Sequence, residues 1–133
     1  EKTYLAIVEG VPKKRRATID QPLRLDDQEF FVHVGNHPHA KSAVTHFVLK
    51  KSAGDKALLE VKIETGRQHQ IRAHMAWYGH PVLGDERYGT AGPRMALHAL
   101  SLKVKHPRFH KFMTFEVEPP KAFMNCLTSP RKG

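Results

Sequence analysis

A chain of 133 residues, 40% of them hydrophobic, is long enough to bury a core and contains no apolar run of membrane-spanning length. Lysine and arginine number 22 against 13 acidic residues, and the net charge of +9 favours a polyanionic partner. A membrane surface fits less well, because no basic amphipathic helix with large apolar residues accompanies the charge, and the single cysteine, Cys126, excludes an internal disulfide or cysteine-rich zinc site. A reducing, intracellular compartment is the natural reading. The cytoplasm is expected, or an organelle if a targeting segment lies upstream.

Residues 3–8 read as a strand from their β-branched and aromatic content, with Tyr4 on the face opposite Leu5 and Ile7. Gly10 and Pro12 end it, and the basic run Lys13-Lys14-Arg15-Arg16 follows. Such a run is either a solvated loop or a phosphate contact. Residues 19–23 suggest a short strand that Pro22 confines to an edge. A further strand at 30–34 is expected to turn Phe30, Val32 and Val34 inward, and Asn36-His37-Pro38-His39 reads as a turn. His33, His37 and His39 raise a metal site, but no carboxylate or cysteine is spaced with them as metal motifs require, so no metal is expected. Residues 44–51 and 57–64 form the clearest hairpin, with a five-residue loop at 52–56 and Leu59, Val61 and Ile63 facing a core.

The stretch from Glu64 to Gly89 organises the rest. Thr65 with Gln68 three residues on predicts a capping box. Ile71, Met75 and Tyr78 then predict a helix over 66–79 lying on a core, ended by Gly79 and Pro81. Arg67 and Arg72 stand near its start, which makes an anion site, or they face water. His69 and His74 are five apart, on different faces, and are no zinc pair. A glycine-rich loop carrying Asp85 and Arg87 spans 80–89. A strand over 96–104 is expected to place Ala96, His98, Leu100, Leu102 and Val104 on one side and to pair with 111–117 across a turn at 106–108. A short helix after Pro120 aligns Phe123 with Leu127, and 129–133 is expected to be a disordered tail.

The residues alone show no complete catalytic set. Asp20, Asp26, Asp27, Asp55 and Asp85 are the aspartates, and most sit in turns, where aspartate is simply favourable. No nucleophile elbow, P-loop or dinucleotide fingerprint occurs. The chain reads as a basic α+β domain that binds nucleic acid, with a mostly antiparallel sheet of about five to seven strands and one principal packed helix.

The run T-G-R-Q-H-Q-I-R-A-H followed by G-H-P-V-L-G-D-E-R-Y-G resembles the signature of the RluA-type RNA pseudouridine synthases. K-T-Y-L-A-I-V-E-G, K-S-A-V-T-H-F and L-H-A-L-S-L resemble that family's strands in order, so the likeness covers most of residues 2–123. It implies part of the synthase catalytic fold and isomerisation of uridine in structured rRNA or tRNA, through a base flipped out of its stack. It implies no cofactor and no metal, and a monomer is expected. The family's tyrosine, which packs on the base, falls on Tyr4. Arg72 falls on the arginine that pairs with the nucleophilic aspartate, and Leu97 on an apolar pocket residue. Arg67 and His69 are expected to contact RNA, the helix end forming one surface with the basic run Lys13, Lys14, Arg15 and Arg16, or else Arg67 and His69 hold the loop after the helix. The plainer roles are a packed strand aromatic for Tyr4, an exposed helix arginine for Arg72 and core filling for Leu97.

The family's nucleophile lies in an arginine-leucine-aspartate motif upstream of the K-T-Y strand. Leu23-Arg24-Leu25-Asp26 lies downstream, with no threonine-serine-glycine after it, so the role is not carried to Asp26. Residues 1–128 are therefore expected to be the C-terminal portion of a catalytic domain, inactive in isolation. Arg72 would then be exposed or paired with another acidic group. The alternatives are a non-catalytic RNA-binding module of the same fold and a basic protein-interaction domain.

Overall fold

Alternation along the first strand builds two cores rather than one. In β1 (Lys2–Glu9), Tyr4, Ala6 and Val8 face one side and Leu5 and Ile7 the other, as expected, and each face is covered. The computed structural model describes residues 2–105, 112–116 and 118–128, with backbone alone over 101–105 and 112–116. The remaining elements are β2 (Arg16–Asp20), β3 (Leu23–Asp26), β4 (Phe31–Val34), β5 (Val44–Ala53), β6 (Lys56–Ile63), α1 (Gln70–Trp77), β7 (Leu97–Lys105), β8 (Phe112–Glu116) and α2 (Lys121–Thr128). Six strands form one antiparallel sheet in the order β2-β5-β6-β1-β7-β8, and β3 pairs with β4 in a second, two-stranded sheet. The fold is α+β, as the strand-rich pattern implied.

α1 covers one face of the sheet: Ile71 and Met75 pack with Ala6, Val8, Phe47, Leu59, Val61 and Ile63. α2 covers the other, where Phe123 and Leu127 join Ile7, Leu58 and Ala96. The face of β6 opposite Leu59 and Val61 is therefore not simply wet, and two helices share the packing expected of one. Buried Lys56 explains how α2 ends against the sheet, since its Nζ donates to the Cys126 carbonyl at 2.9 Å.

Several boundaries differ from expectation. The edge strand is β2, three residues earlier than 19–23, because Pro22 separates β2 from β3 instead of lying within a strand. The β5–β6 connection is two residues, Gly54-Asp55, with Ala53 opposite Lys56; Gly54 takes φ 60, the left-handed geometry that so tight a turn requires. Phe30 points outward and is 65% exposed, so only Val32 of the expected trio is buried. A register shift opposite Thr3 and Tyr4 interrupts the alternation expected along 96–104. The turn at 106–108 and the tail at 129–133 lie outside the described residues. No helix among those described is long and apolar enough to cross a membrane.

α1 also buries His74 completely. Its Nε2 lies 2.8 Å from the Gln21 carbonyl oxygen and its Nδ1 2.7 Å from Thr45 Oγ1. A carbonyl only accepts, so Nε2 carries the hydrogen and Nδ1 accepts from the threonine. Burial lowers the His74 pKa, against smaller opposing effects of the Gln21 hydrogen bond and Asp20, and burial lowers His80 too. Above about pH 6.5 folded and unfolded chains are both neutral there and nothing is lost. Below it the unfolded chain takes up a proton that the folded chain refuses, so stability falls with pH until the folded pKa is reached. The melting temperature should therefore drop between pH 7 and 5, and His74→Gln should flatten that drop in thermal denaturation even if it lowers stability at pH 7.

Candidate active site at the start of the first helix

The turn from Thr65 to His69 is organised by Gln70, a residue that sequence reasoning overlooked. The Gln70 amide is buried; its Nε2 donates to the Val44 carbonyl at 2.9 Å and to Thr45 Oγ1 at 3.0 Å. Its Oε1 accepts from the Thr65 hydroxyl at 2.7 Å and from the Arg67 N–H at 3.1 Å. All four of its hydrogen-bonding positions are filled. The predicted capping box is therefore replaced: Thr65 bonds Gln70, Gln68 is exposed, and the helix spans Gln70–Trp77 instead of 66–79. His69 occupies the cap position at φ 54 with no side-chain cap.

Two residues into α1, Arg72 meets Asp85. Its Nε donates to Oδ2 and its Nη2 to Oδ1, both at 2.8 Å, a bidentate pair. Asp85 is 1% exposed and also accepts from the backbone N–H groups of Arg87 at 3.2 Å and Tyr88 at 3.3 Å. Burial pushes its carboxyl pKa up, but Arg72 and those two amides outweigh burial and hold it below the usual carboxylate range. The hydrogen bond to Asp85 raises the Arg72 pKa, against burial.

The loop after α1 is fixed in place by the sheet. Val82 is buried and bridges to Val8, Leu83 donates its N–H to the Ile7 carbonyl at 2.8 Å, and Ala96 donates to the Leu83 carbonyl at 2.9 Å. Gly84, at φ 79, lies so close to the Arg94 carbonyl that a Cβ would collide with it, so glycine is required just before Asp85.

Tyr88 closes the group. Its ring centroid is 5.2 Å from the Arg72 guanidinium carbon and 4.6 Å from the ring of Phe31. Its hydroxyl accepts the Val32 N–H at 3.0 Å and lies 2.9 Å from His69 Nδ1. Burial, then the charges of Arg72 and Arg87, lower the His69 pKa against Asp85, so a neutral ring accepts from the Tyr88 hydroxyl. His69 thus ties down the loop that follows the helix. Arg67 does not; its Nε donates to the Ser42 carbonyl at 2.8 Å on the other side of the turn. There a cavity of about 430 Å³ places Arg67 and Lys41 beside Leu23, Leu25 and Val32.

Tyr4 and Leu97 are half-buried on one face of the sheet, packed against the core beneath α1. Tyr4 lies opposite Ala99 and Leu97 opposite Ala6, which makes them diagonal neighbours. Lys13, Lys14, Arg15 and Arg16 are exposed. Arg16 pairs with Val48 and the helix start hangs from Val44, so the two are anchored four residues apart on β5, about 13 Å along the strand. Asp26 is engaged in its turn, its Oδ1 accepting the N–H groups of Gln28 and Glu29 at 3.0 and 3.2 Å. Two carboxylates stand near one of the three histidines: His33 Nε2 is 3.9 Å from Asp26 and 3.7 Å from Glu29.

Residues 1–77 match the RNA pseudouridylate synthase family. The chain belongs to that family. Among synthase relatives, the uncharacterized RNA pseudouridine synthase YhcT of Bacillus subtilis is 37% identical over 134 residues, covering 96% of this chain and 44% of the relative. Ribosomal large subunit pseudouridine synthase D of Haemophilus influenzae is 33% identical, covering 95% of this chain and 44% of that protein. The chain thus spans less than half the length of these relatives. The human RNA pseudouridylate synthase domain containing 1 superposes with a TM-score of 0.80 at 27% identity over 98% of this chain and 60% of that one. The synthase fold is therefore present, and within it Arg72, Asp85, Tyr88 and His69 form one connected group. Asp85 was the member hidden in the sequence, since an aspartate after glycine reads as a turn residue. A half-buried helix arginine that needs a carboxylate partner was the available signal.

Proposed function

We propose that the chain is the C-terminal portion of an RluA-type catalytic domain, within a protein that isomerises uridine in structured rRNA or tRNA. The observation that carries this reading is the fixed guanidinium of Arg72. Asp85 uses two of its five N–H donors and leaves the others to hold a second carboxylate ionised. Asp85 is itself unsuited to nucleophilic attack: it is buried, and its oxygens already take four donors. Asp26 caps a turn. In this reading the nucleophile comes from a segment upstream of Glu1, Arg72 pairs with it, Tyr4 packs on the flipped base and Leu97 lines its pocket. Arg67, beside the cavity, and the exposed run Lys13 to Arg16 contact phosphates on one RNA-facing surface, and His69 supports the site through Tyr88. The isomerisation breaks a carbon–nitrogen bond and makes a carbon–carbon bond to the same base, so it needs no redox cofactor.

The test is pseudouridine formation in uridine-containing RNA, with this chain and an upstream-extended one assayed side by side. The extended protein should isomerise and this chain should not. Isomerisation by this chain alone would overturn the assignment of the nucleophile, and inactivity of both would favour the non-catalytic RNA-binding module.

A further inference from the structure

The loop joining β3 to β4 runs from Asp27 to Phe30, and Phe30 closes it at φ 51. A left-handed position suits glycine or asparagine; a phenylalanine is strained there. The ring gains nothing from the core, since at 65% it is the most exposed of the large hydrophobic side chains described. Neither turn geometry nor packing accounts for this residue, and strain kept at an exposed position points to function.

The tip is nevertheless held firmly, and held to the site. Arg87 Nη1 donates to the Phe30 carbonyl at 2.9 Å, the Val32 N–H donates to the Tyr88 hydroxyl at 3.0 Å, and Phe31 stacks on Tyr88. Tyr88 in turn lies against Arg72. The position of the exposed ring is therefore coupled to that of the Arg72–Asp85 pair.

We propose that Phe30 is a stacking platform for an unpaired RNA base beside the site, an inference that rests on the RNA-modifying function proposed above. Asp27 and Glu29 are exposed beside Phe30 in the loop and Arg87 reaches the loop's carbonyls, so the tip offers a phosphate little net attraction and meets a base face, which stacks whatever its identity. The net charge of +9 supplies the attraction for the polyanion elsewhere on the surface.

The experiment measures affinity of the whole chain for an RNA hairpin with an unpaired loop and for a fully paired RNA duplex, each across a range of salt. Phe30→Gly suits the backbone, so it should fold at least as stably as the parent, which a melting curve verifies. Its affinity for the looped RNA should fall about tenfold at every salt concentration, with the salt slope unchanged, because stacking releases no counterions. Duplex binding should stay the same, and Phe30→Trp should restore the loss. A Lys13→Ala, Arg15→Ala double variant should instead flatten the slope by about one unit per lost phosphate contact. Looped-RNA affinity unchanged in Phe30→Gly would overturn the proposal, as would a parent dimer that Phe30→Gly dissociates. If the parent binds neither RNA at any salt, the RNA-binding function itself fails, and the proposal with it.

Discussion

Asp85→Ala should destabilise the fold by about 3–5 kcal/mol, the usual effect of removing one partner from a buried ion pair. The carboxylate is wholly buried and the Arg72 side chain only 17% exposed, so solvent screens little of the loss. The substitution also orphans the Arg87 and Tyr88 N–H groups that now donate to Oδ1. Asp85→Asn keeps an acceptor and should lose less. Replacing both partners with apolar residues, as Asp85→Leu with Arg72→Met, should lose less than Asp85→Ala, because no charge is stranded. The pair also sets an acid limit. The folded Asp85 pKa is lowered, so its contribution is complete above the unfolded value of about 3.9 and is lost as pH falls through the folded value. Denaturant melts of parent and Asp85→Asn should converge in strong acid. A loss below about 1 kcal/mol for Asp85→Ala at neutral pH would mean that the pair behaves as an exposed one.

Arg72→Ala should slow pseudouridine formation by the upstream-extended protein on the order of a hundredfold or more. A well-aligned charge partner in a dry site is worth several kcal/mol, and each 1.36 kcal/mol is a factor of ten in rate. Arg72→Lys should rescue little, since a single ammonium cannot grip Asp85 at two points and face a second carboxylate. Because Arg72→Ala also strands Asp85, the rate must be read well below the variant's own melting temperature. Tyr4→Ala should lower the rate by removing the base's packing surface. A folded Arg72→Ala protein within twofold of the parent rate would remove Arg72 from the chemistry and leave it a structural role.

Period-two patterning made β1, β5 and β6 legible from sequence, and the Phe123–Leu127 spacing did the same for α2. At the start of α1 a buried polar side chain displaced a local rule. The capping box expected of Thr65 and Gln68 yielded to Gln70, because reaching the Val44 carbonyl satisfies more buried groups than a reciprocal cap does. Tyr4 and Leu97 were placed on the right strands, yet adjacency across strands is set by register, which a single sequence does not display. Asp85 illustrates the same limit: its significance comes from Val82 and Leu83 being drawn onto the sheet, a tertiary event. Phe30 was assigned inward by alternation, and the loop's left-handed closure reversed it.

The interior place of β1 has a consequence for how the molecule comes into being. Lys2 aligns with Ile63 on one side and with Leu102 on the other, so this strand has no partner close to it in the chain. The β5–β6 hairpin closes locally, but β1 must wait for distant partners, and topologies dominated by such pairings fold in milliseconds to seconds rather than microseconds. During synthesis β1 leaves the ribosome before both of the strands that will pair with it. That interval, ending only when β7 has emerged, is when a nascent chain is most open to pairing with its neighbours instead of itself.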